Sequence, residues 1–150
     1  MTREQIDTLV YAGLIAPTAR NEQEVHISVV KGDAPILQEL QADLNPKAEK
    51  NFYYGAPVVF FLSGKDSFGW SVLDAGIAVE NMHLAAKAMG LGSLVIGCVK
   101  GVLTGERKAY YNKALAVPDG YTFCIALAVG VPDTTKDPHA IDIEKNVSFL

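Results

Sequence analysis

Apolar or small residues recur at three- and four-residue intervals over residues 3 to 15, at Ile6, Leu9, Val10, Gly13 and Leu14. With Thr2 placed to cap the start and Pro17 beyond the end, this spacing predicts an amphipathic helix. Val25 to Val30 instead alternates apolar with polar residues before Lys31-Gly32-Asp33 breaks the pattern, which predicts a strand. A short helix from Ala34 to Leu40 is expected next. Gln41 to Tyr54 is polar, contains Pro46, and reads as a surface connection of at most one helical turn.

Pro57 to Leu62 is continuously apolar and rich in β-branched and aromatic side chains, which suits a strand covered on both faces at the centre of a sheet. From Ser71 to Met89, Val72, Ala75, Val79, Met82, Ala85, Ala86 and Met89 mark a long, largely buried helix that Gly90 ends. Ser93 to Gly97 reads as a second buried strand, Gly105 to Ala116 as a helix, and Tyr121 to Val131 as a third strand. The remaining tail is polar until Val147-Ser148-Phe149-Leu150. Helices and strands are interleaved by connections too unequal for a regular βαβ array, so the expected class is an α+β sandwich occupying residues 1–150 as one domain.

Composition narrows the functions more than it selects one. The chain has 150 residues, of which 49% are hydrophobic and 20% charged, and a net charge of −4. Its Lys and Arg residues are scattered and form no stripe that could track phosphates, so no nucleic acid is expected as a partner. The apolar runs fall short of the roughly 18 to 20 residues of a membrane-spanning helix, so no membrane association is expected. The opening residues lack the basic-then-apolar order of a secretory signal, which places the protein in the cytoplasm.

Cys98 and Cys124 each sit in an apolar run without Cys-x-x-Cys spacing and read as core residues. His26, His83 and His139 lie far apart without the spacing of a metal site, so no metal is expected. No serine or cysteine stands in a nucleophile elbow, and no catalytic side chain is singled out. The glycines of Gly90-Leu91-Gly92-Ser93-Leu94-Val95-Ile96-Gly97 join a helix to a strand, whereas a dinucleotide fingerprint joins a strand to a helix. They permit close backbone approach, either by a planar ligand or by a neighbouring element. The loop Ala16-Pro17-Thr18-Ala19-Arg20-Asn21-Glu22-Gln23 carries a hydroxyl, two amides and a guanidinium, enough to bind a polar heterocycle or to cap the helix before it.

That loop resembles the Ala-Pro-Ser-x-x-Asn-x-Gln segment of the FMN-dependent nitroreductase family, in the same place between first helix and first strand. The resemblance continues in Tyr54-Gly55-Ala56-Pro57-Val58-Val59, in Asp74 to Leu91, in Gly92 to Gly97, and in Val117-Pro118-Asp119-Gly120-Tyr121 leading to Ala128-Val129-Gly130. It implies an α+β sandwich with a central, mainly antiparallel sheet flanked by helices, and an interwoven homodimer with FMN at the subunit interface. It also implies electrons drawn from NAD(P)H and passed to a flat, electron-poor acceptor such as a nitroaromatic or quinone, the isoalloxazine doing the chemistry.

By the same resemblance, the cofactor-binding residues are Pro17, Thr18, Arg20, Asn21 and Gln23, with Leu94, Val95, Ile96 and Gly97 supplying backbone near the ring. Asn81 and Gly92 are weaker candidates, and Lys145 with Lys136 behind it are candidates for the phosphate. The apolar end Val147 to Leu150 resembles a strand exchanged between subunits.

Two departures qualify these expectations. Relatives usually carry an Arg-Arg-Ser-x-Arg-x-Phe stretch ahead of the first helix. Without two of its hydrogen bonds to the phosphate, at about 1.5 to 3 kcal/mol each, FMN is expected to bind roughly two to four powers of ten more weakly. Glu24-Val25 stands where relatives often have Pro-Trp, which adds a carboxylate near the strand entrance and predicts altered substrate selection. The alternatives are a non-catalytic, FMN-free dimeric binding protein of the same fold, and an unrelated α+β small-molecule binding protein.

Overall fold

Strand β2, Val58–Lys65, alternates its side chains between two hydrophobic layers. Val58, Phe60 and Leu62 enter one buried cluster, while Val59 and Phe61 enter the other. A strand buried on both faces needs apolar residues at every position, which is why its sequence runs without alternation. The computed structural model describes residues 1–150 and places β2 inside a four-stranded antiparallel sheet. β1, His26–Lys31, pairs with one side of β2 and β4, Tyr121–Gly130, with the other. β3, Gly92–Ile96, adds to the far side of β4, so the order is β1-β2-β4-β3. This is the expected α+β sandwich.

Helices cover both faces. α1, Arg3–Leu14, and α3, Ser71–Ala88, pack together over the layer that holds Leu9, Ala75, Met82 and Phe60. α1 begins with a capping box: the Thr2 hydroxyl accepts from the Gln5 amide at 3.2 Å, and the Gln5 side chain accepts from the Thr2 amide at 2.9 Å. The opposite layer holds α2, Pro35–Leu44, the short α4, Lys100–Leu103, and α5, Lys108–Ala114, through Leu37, Leu40, Leu103 and Tyr111. Asp43 of α2 accepts from the Tyr111 hydroxyl at 2.5 Å and pairs with Arg107, binding α2 to the start of α5. The Tyr111 hydroxyl and the Arg107 guanidinium hold the Asp43 carboxyl below its ordinary range, and burial pushes the Tyr111 phenol up.

Several boundaries differ from the sequence expectation. α2 continues to Leu44, and the segment after it is no surface connection, because Phe52 and Tyr53 are buried in the second layer with their rings edge to face. The helix expected from Gly105 begins at Lys108, after a turn in which the Gly105 amide donates to Val102. β3 is an edge strand and not a buried one: Leu94 and Val95 are exposed, while Ile96 alone turns into the core. Likewise Val72, Leu73 and Leu84 leave one flank of α3 exposed. Cys124 is buried as expected, but Cys98 is exposed just past the end of β3.

Beyond β4, every residue from Val131 to Leu150 is exposed, including a last short helix, α6, Ile143–Asn146. No helix is long and apolar enough to cross a membrane.

Candidate functional site

The loop between α1 and β1 is the most strained piece of backbone in the chain. Arg20, Asn21 and Gln23 all have positive φ, at 58°, 56° and 51°. A residue with a side chain pays roughly 1 to 2 kcal/mol for that conformation, so three in four positions must be held from outside. From outside the loop, Asp74 Oδ2 accepts from the Ala19 amide at 3.0 Å; within it, the Thr18 hydroxyl accepts from the Gln23 amide and the Thr18 carbonyl from the Asn21 amide, both at 3.0 Å. Asp74 stands in the first turn of α3, whose N-terminal end favours a carboxylate.

The fastened loop forms one wall of an open cleft of about 360 Å³, made by Pro17, Thr18 and Ala19 against Trp70, Leu73, Asp74 and Ile77. The last four stand at i, i+3, i+4 and i+7, one face at the start of α3, and that spacing is the signal by which the sequence could have revealed them. Arg20, Asn21 and Gln23 are exposed beside the cleft, with no side-chain hydrogen bond to the rest of the chain.

The second group of expected residues lies at the same end of the sheet but along the opposite edge. His26, where the loop enters β1, pairs with Ser63 near the end of β2, and Ile96 pairs with Ala126, itself opposite Phe61. β1 and β3 are separated by three strand spacings, about 14 Å. The structure therefore brings Pro17 and Thr18 together with α3, and Leu94 to Gly97 together on β3, but does not join the two groups within one chain.

At β3 the chain leaves room. A Cβ added to Gly97 would meet only the Ile125 methyl, at 4.0 Å, so no packing within the chain demands glycine there. β3 is paired on one side only, which leaves the peptide groups of its outer edge open to another partner. Gly92 and Asn81, by contrast, have packing roles: a Cβ on Gly92 would press on Pro132 at 3.1 Å, and the Asn81 amide donates to the Ala12 carbonyl at 3.3 Å. His83 on α3 is hydrogen-bonded through Nδ1 to the Ser93 hydroxyl at 2.7 Å. Lys136 and Lys145 lie on the exposed tail, and neither forms an ion pair with the body of the chain.

Glu24 stands just ahead of β1, where the sequence placed it. Its side chain turns inward, is 6% exposed, and lies with Asp74 and Ser71 beneath the loop. It lies under the loop and not among the residues that line the cleft.

A three-layer sandwich with a strained polar loop at one edge and an open, glycine-ended strand at the other belongs to the nitroreductase-like α+β folds. The chain is a member of the Nitroreductase family, whose model matches residues 1–131. Among solved structures, the FMN-dependent Nitroreductase (CDR20291_0684) from Clostridium difficile R20291 superposes with a TM-score of 0.88 at 29% identity, covering 100% of this chain and 89% of that one. The FMN-bound nitroreductase from Desulfitobacterium hafniense DCB-2 shares the fold, with a TM-score of 0.88 at 24% identity over 100% of this chain and 88% of that one. The chain is 29% identical to the FMN reductase (NADPH) of Bacillus subtilis, over 88% of this chain but 58% of that relative's length. It is 28% identical to a putative NADH dehydrogenase/NAD(P)H nitroreductase of Archaeoglobus fulgidus, over 93% of this chain and 79% of the relative.

Proposed function

We propose that the chain is one subunit of a homodimeric, FMN-dependent oxidoreductase that passes electrons from NAD(P)H to a flat, electron-poor acceptor, a nitroaromatic or a quinone. The observation that carries this reading is the strained loop of residues 17–23, fastened by Asp74 at the same end of the sheet as the open edge of β3. Conformational strain of this kind persists where a backbone shape is required for more than packing.

The residues fit a flavin. Pro17 and Thr18 offer an apolar wall and a hydroxyl, Asn21 and Gln23 offer exposed amides, and β3 offers a row of open peptide groups beside Gly97. When bound there, FMN supplies the redox chemistry, taking a hydride from reduced nicotinamide and returning electrons to the acceptor. Thr18, Asn21 and Gln23 would orient the ring through hydrogen bonds, and the backbone from Leu94 to Gly97 would lie against it. Arg20, Lys136 and Lys145 supply cations for the phosphate. No side chain of this chain is required to move a proton for hydride delivery.

Two copies suit this division of labour. One chain carries its two half-sites on opposite sheet edges, and a second copy docked across the exposed flank of α3 and the edge of β3 would place one chain's loop beside its partner's strand. The tail supports the same arrangement, since Ile141, Ile143, Val147, Phe149 and Leu150 are all exposed in one chain and gain burial only against another surface.

The test is consumption of NADH or NADPH by the purified protein with saturating FMN and a quinone or nitrobenzoate as acceptor. Turnover that depends on both FMN and protein is expected. A rate equal to that of free FMN alone would overturn the reading.

A further inference from the structure

Glu24 is more than nine-tenths buried, and neither carboxyl oxygen has a hydrogen-bond partner. A buried carboxylate in that position is costly unless a cation faces it, and the alternative is to keep a proton. No Lys, Arg or His nitrogen lies within 4.0 Å of its carboxyl oxygens. From α3 come Asp74 and Ser71, and the Ser71 hydroxyl is spent donating to the Lys65 carbonyl at 2.9 Å. From β4 comes the Cys124 thiol, and Lys100 and Asp66 act on that thiol instead of on Glu24. The charge that does act on Glu24 is Asp74, a second carboxyl, 1% exposed and already accepting the Ala19 amide.

We propose that Glu24 keeps its proton beneath the 17–23 loop, beside Asp74, and that this proton sets how firmly the loop is held against a bound flavin. The second half of the statement rests on the function proposed above. The first half rests on the burial of Glu24 and on its two unpartnered carboxyl oxygens.

Two carboxylates in a poorly solvated site cannot both ionise without strong mutual repulsion. Burial, and then the charge of Asp74, push the Glu24 carboxyl above its ordinary 4.5. While Glu24 holds the proton, Asp74 is free to accept from Ala19. Once the proton leaves, a second negative charge faces Asp74, and the anchor of a strained loop is disturbed. Because the folded-state value is raised, the associated stability is fully present below pH 4.5 and is lost as pH rises through the folded value. Glu24 and Asp74 are thus positioning residues, acting on the flavin only through Ala19 and the loop.

The experiment compares the wild type with Glu24→Gln, which keeps the shape and a donor but cannot ionise. In flavin-free protein, the Ala19 amide is followed by NMR, and the unfolding temperature is recorded, across a pH titration starting at 4.5. The dissociation constant for FMN is measured by fluorescence quenching over the same range.

In the wild type, the Ala19 signal titrates with a midpoint above 4.5, the unfolding temperature falls through that range, and FMN binding weakens severalfold with it. In Glu24→Gln the Ala19 signal loses this transition, the fall in unfolding temperature is smaller, and FMN binding keeps only the pH dependence that the flavin's own phosphate brings. Should that variant fail to fold, Asp74→Asn removes the opposing charge and must shift the Ala19 titration towards 4.5. Identical Ala19 titrations in wild type and variant overturn the proton held on Glu24, and FMN constants with identical pH profiles overturn its effect on the loop. A protein that never binds FMN, yet shows the Ala19 titration in the wild type alone, supports the proton on Glu24 and overturns the flavin reading.

Discussion

The amide of Ala19 donates to Asp74 Oδ2 at 3.0 Å across 55 residues of sequence, and this contact ties the strained loop to the first turn of α3. Removing the acceptor should therefore loosen the loop more than the helix. Asp74→Ala is expected to weaken FMN binding roughly 10- to 150-fold, the equivalent of about 1.5 to 3 kcal/mol for a hydrogen bond to a charged group. Asp74→Asn, whose side-chain oxygen still accepts, should keep most of the affinity. Fluorescence titration of FMN into both variants checks the ordering, and equal losses would contradict it.

Two glycines separate packing from ligand approach. A Cβ at Gly32 would lie 2.3 Å from the Ala56 carbonyl oxygen, a backbone atom that cannot move aside, so Gly32→Ala should cost about 1 to 3 kcal/mol or more of stability in thermal unfolding. A Cβ at Gly97 meets only a methyl at 4.0 Å, so Gly97→Ala should leave the flavin-free protein within about 0.5 kcal/mol of wild type. Its effect should fall on FMN binding instead, as a raised dissociation constant.

The two thiols should differ in reactivity. Cys98 is exposed, whereas Cys124 is buried and burial pushes its thiol up, so the reactive thiolate is scarce there. Mass spectrometry after brief treatment with iodoacetamide at neutral pH should find Cys98 alkylated and Cys124 intact until the protein is unfolded.

Much of the fold was legible because its periodicities are strong. The capped helix at Thr2 and the long helix after Ser71 stand where the pattern put them, within a residue, while β2 begins one residue into the apolar run and continues three residues past it. β3 was misjudged as buried because an apolar edge strand and an apolar central strand read alike, and only the pairing with β4 alone reveals which it is. Phe52 and Tyr53 were lost among polar neighbours, since two aromatic residues in a loop carry no period. In the site, the loop residues are legible through family likeness, while Asp74 stands out only as the start of the block Asp74 to Leu91. Glu24 was noticed as a departure, but its inward turn depends on long-range packing that no local pattern encodes.

The tail carries a prediction about assembly. Phe149 is 89% exposed and, with Val147 and Leu150, leaves an apolar segment uncovered that the proposed dimer would bury. The full chain should run as a dimer in light scattering at micromolar concentration. Deleting residues 147–150 should shift it towards monomer and weaken FMN binding in parallel, because in the proposed dimer each site would draw on both copies.

The central claim is best tested by the visible spectrum of the protein after FMN is added and the excess removed by gel filtration, followed by NADPH or NADH without air. The account predicts flavin bands that travel with the protein and bleach when the reduced nicotinamide is added. A colourless protein fraction would contradict it and favour a dimeric binding protein without FMN, and bound flavin that neither nicotinamide bleaches would contradict the proposed electron donor.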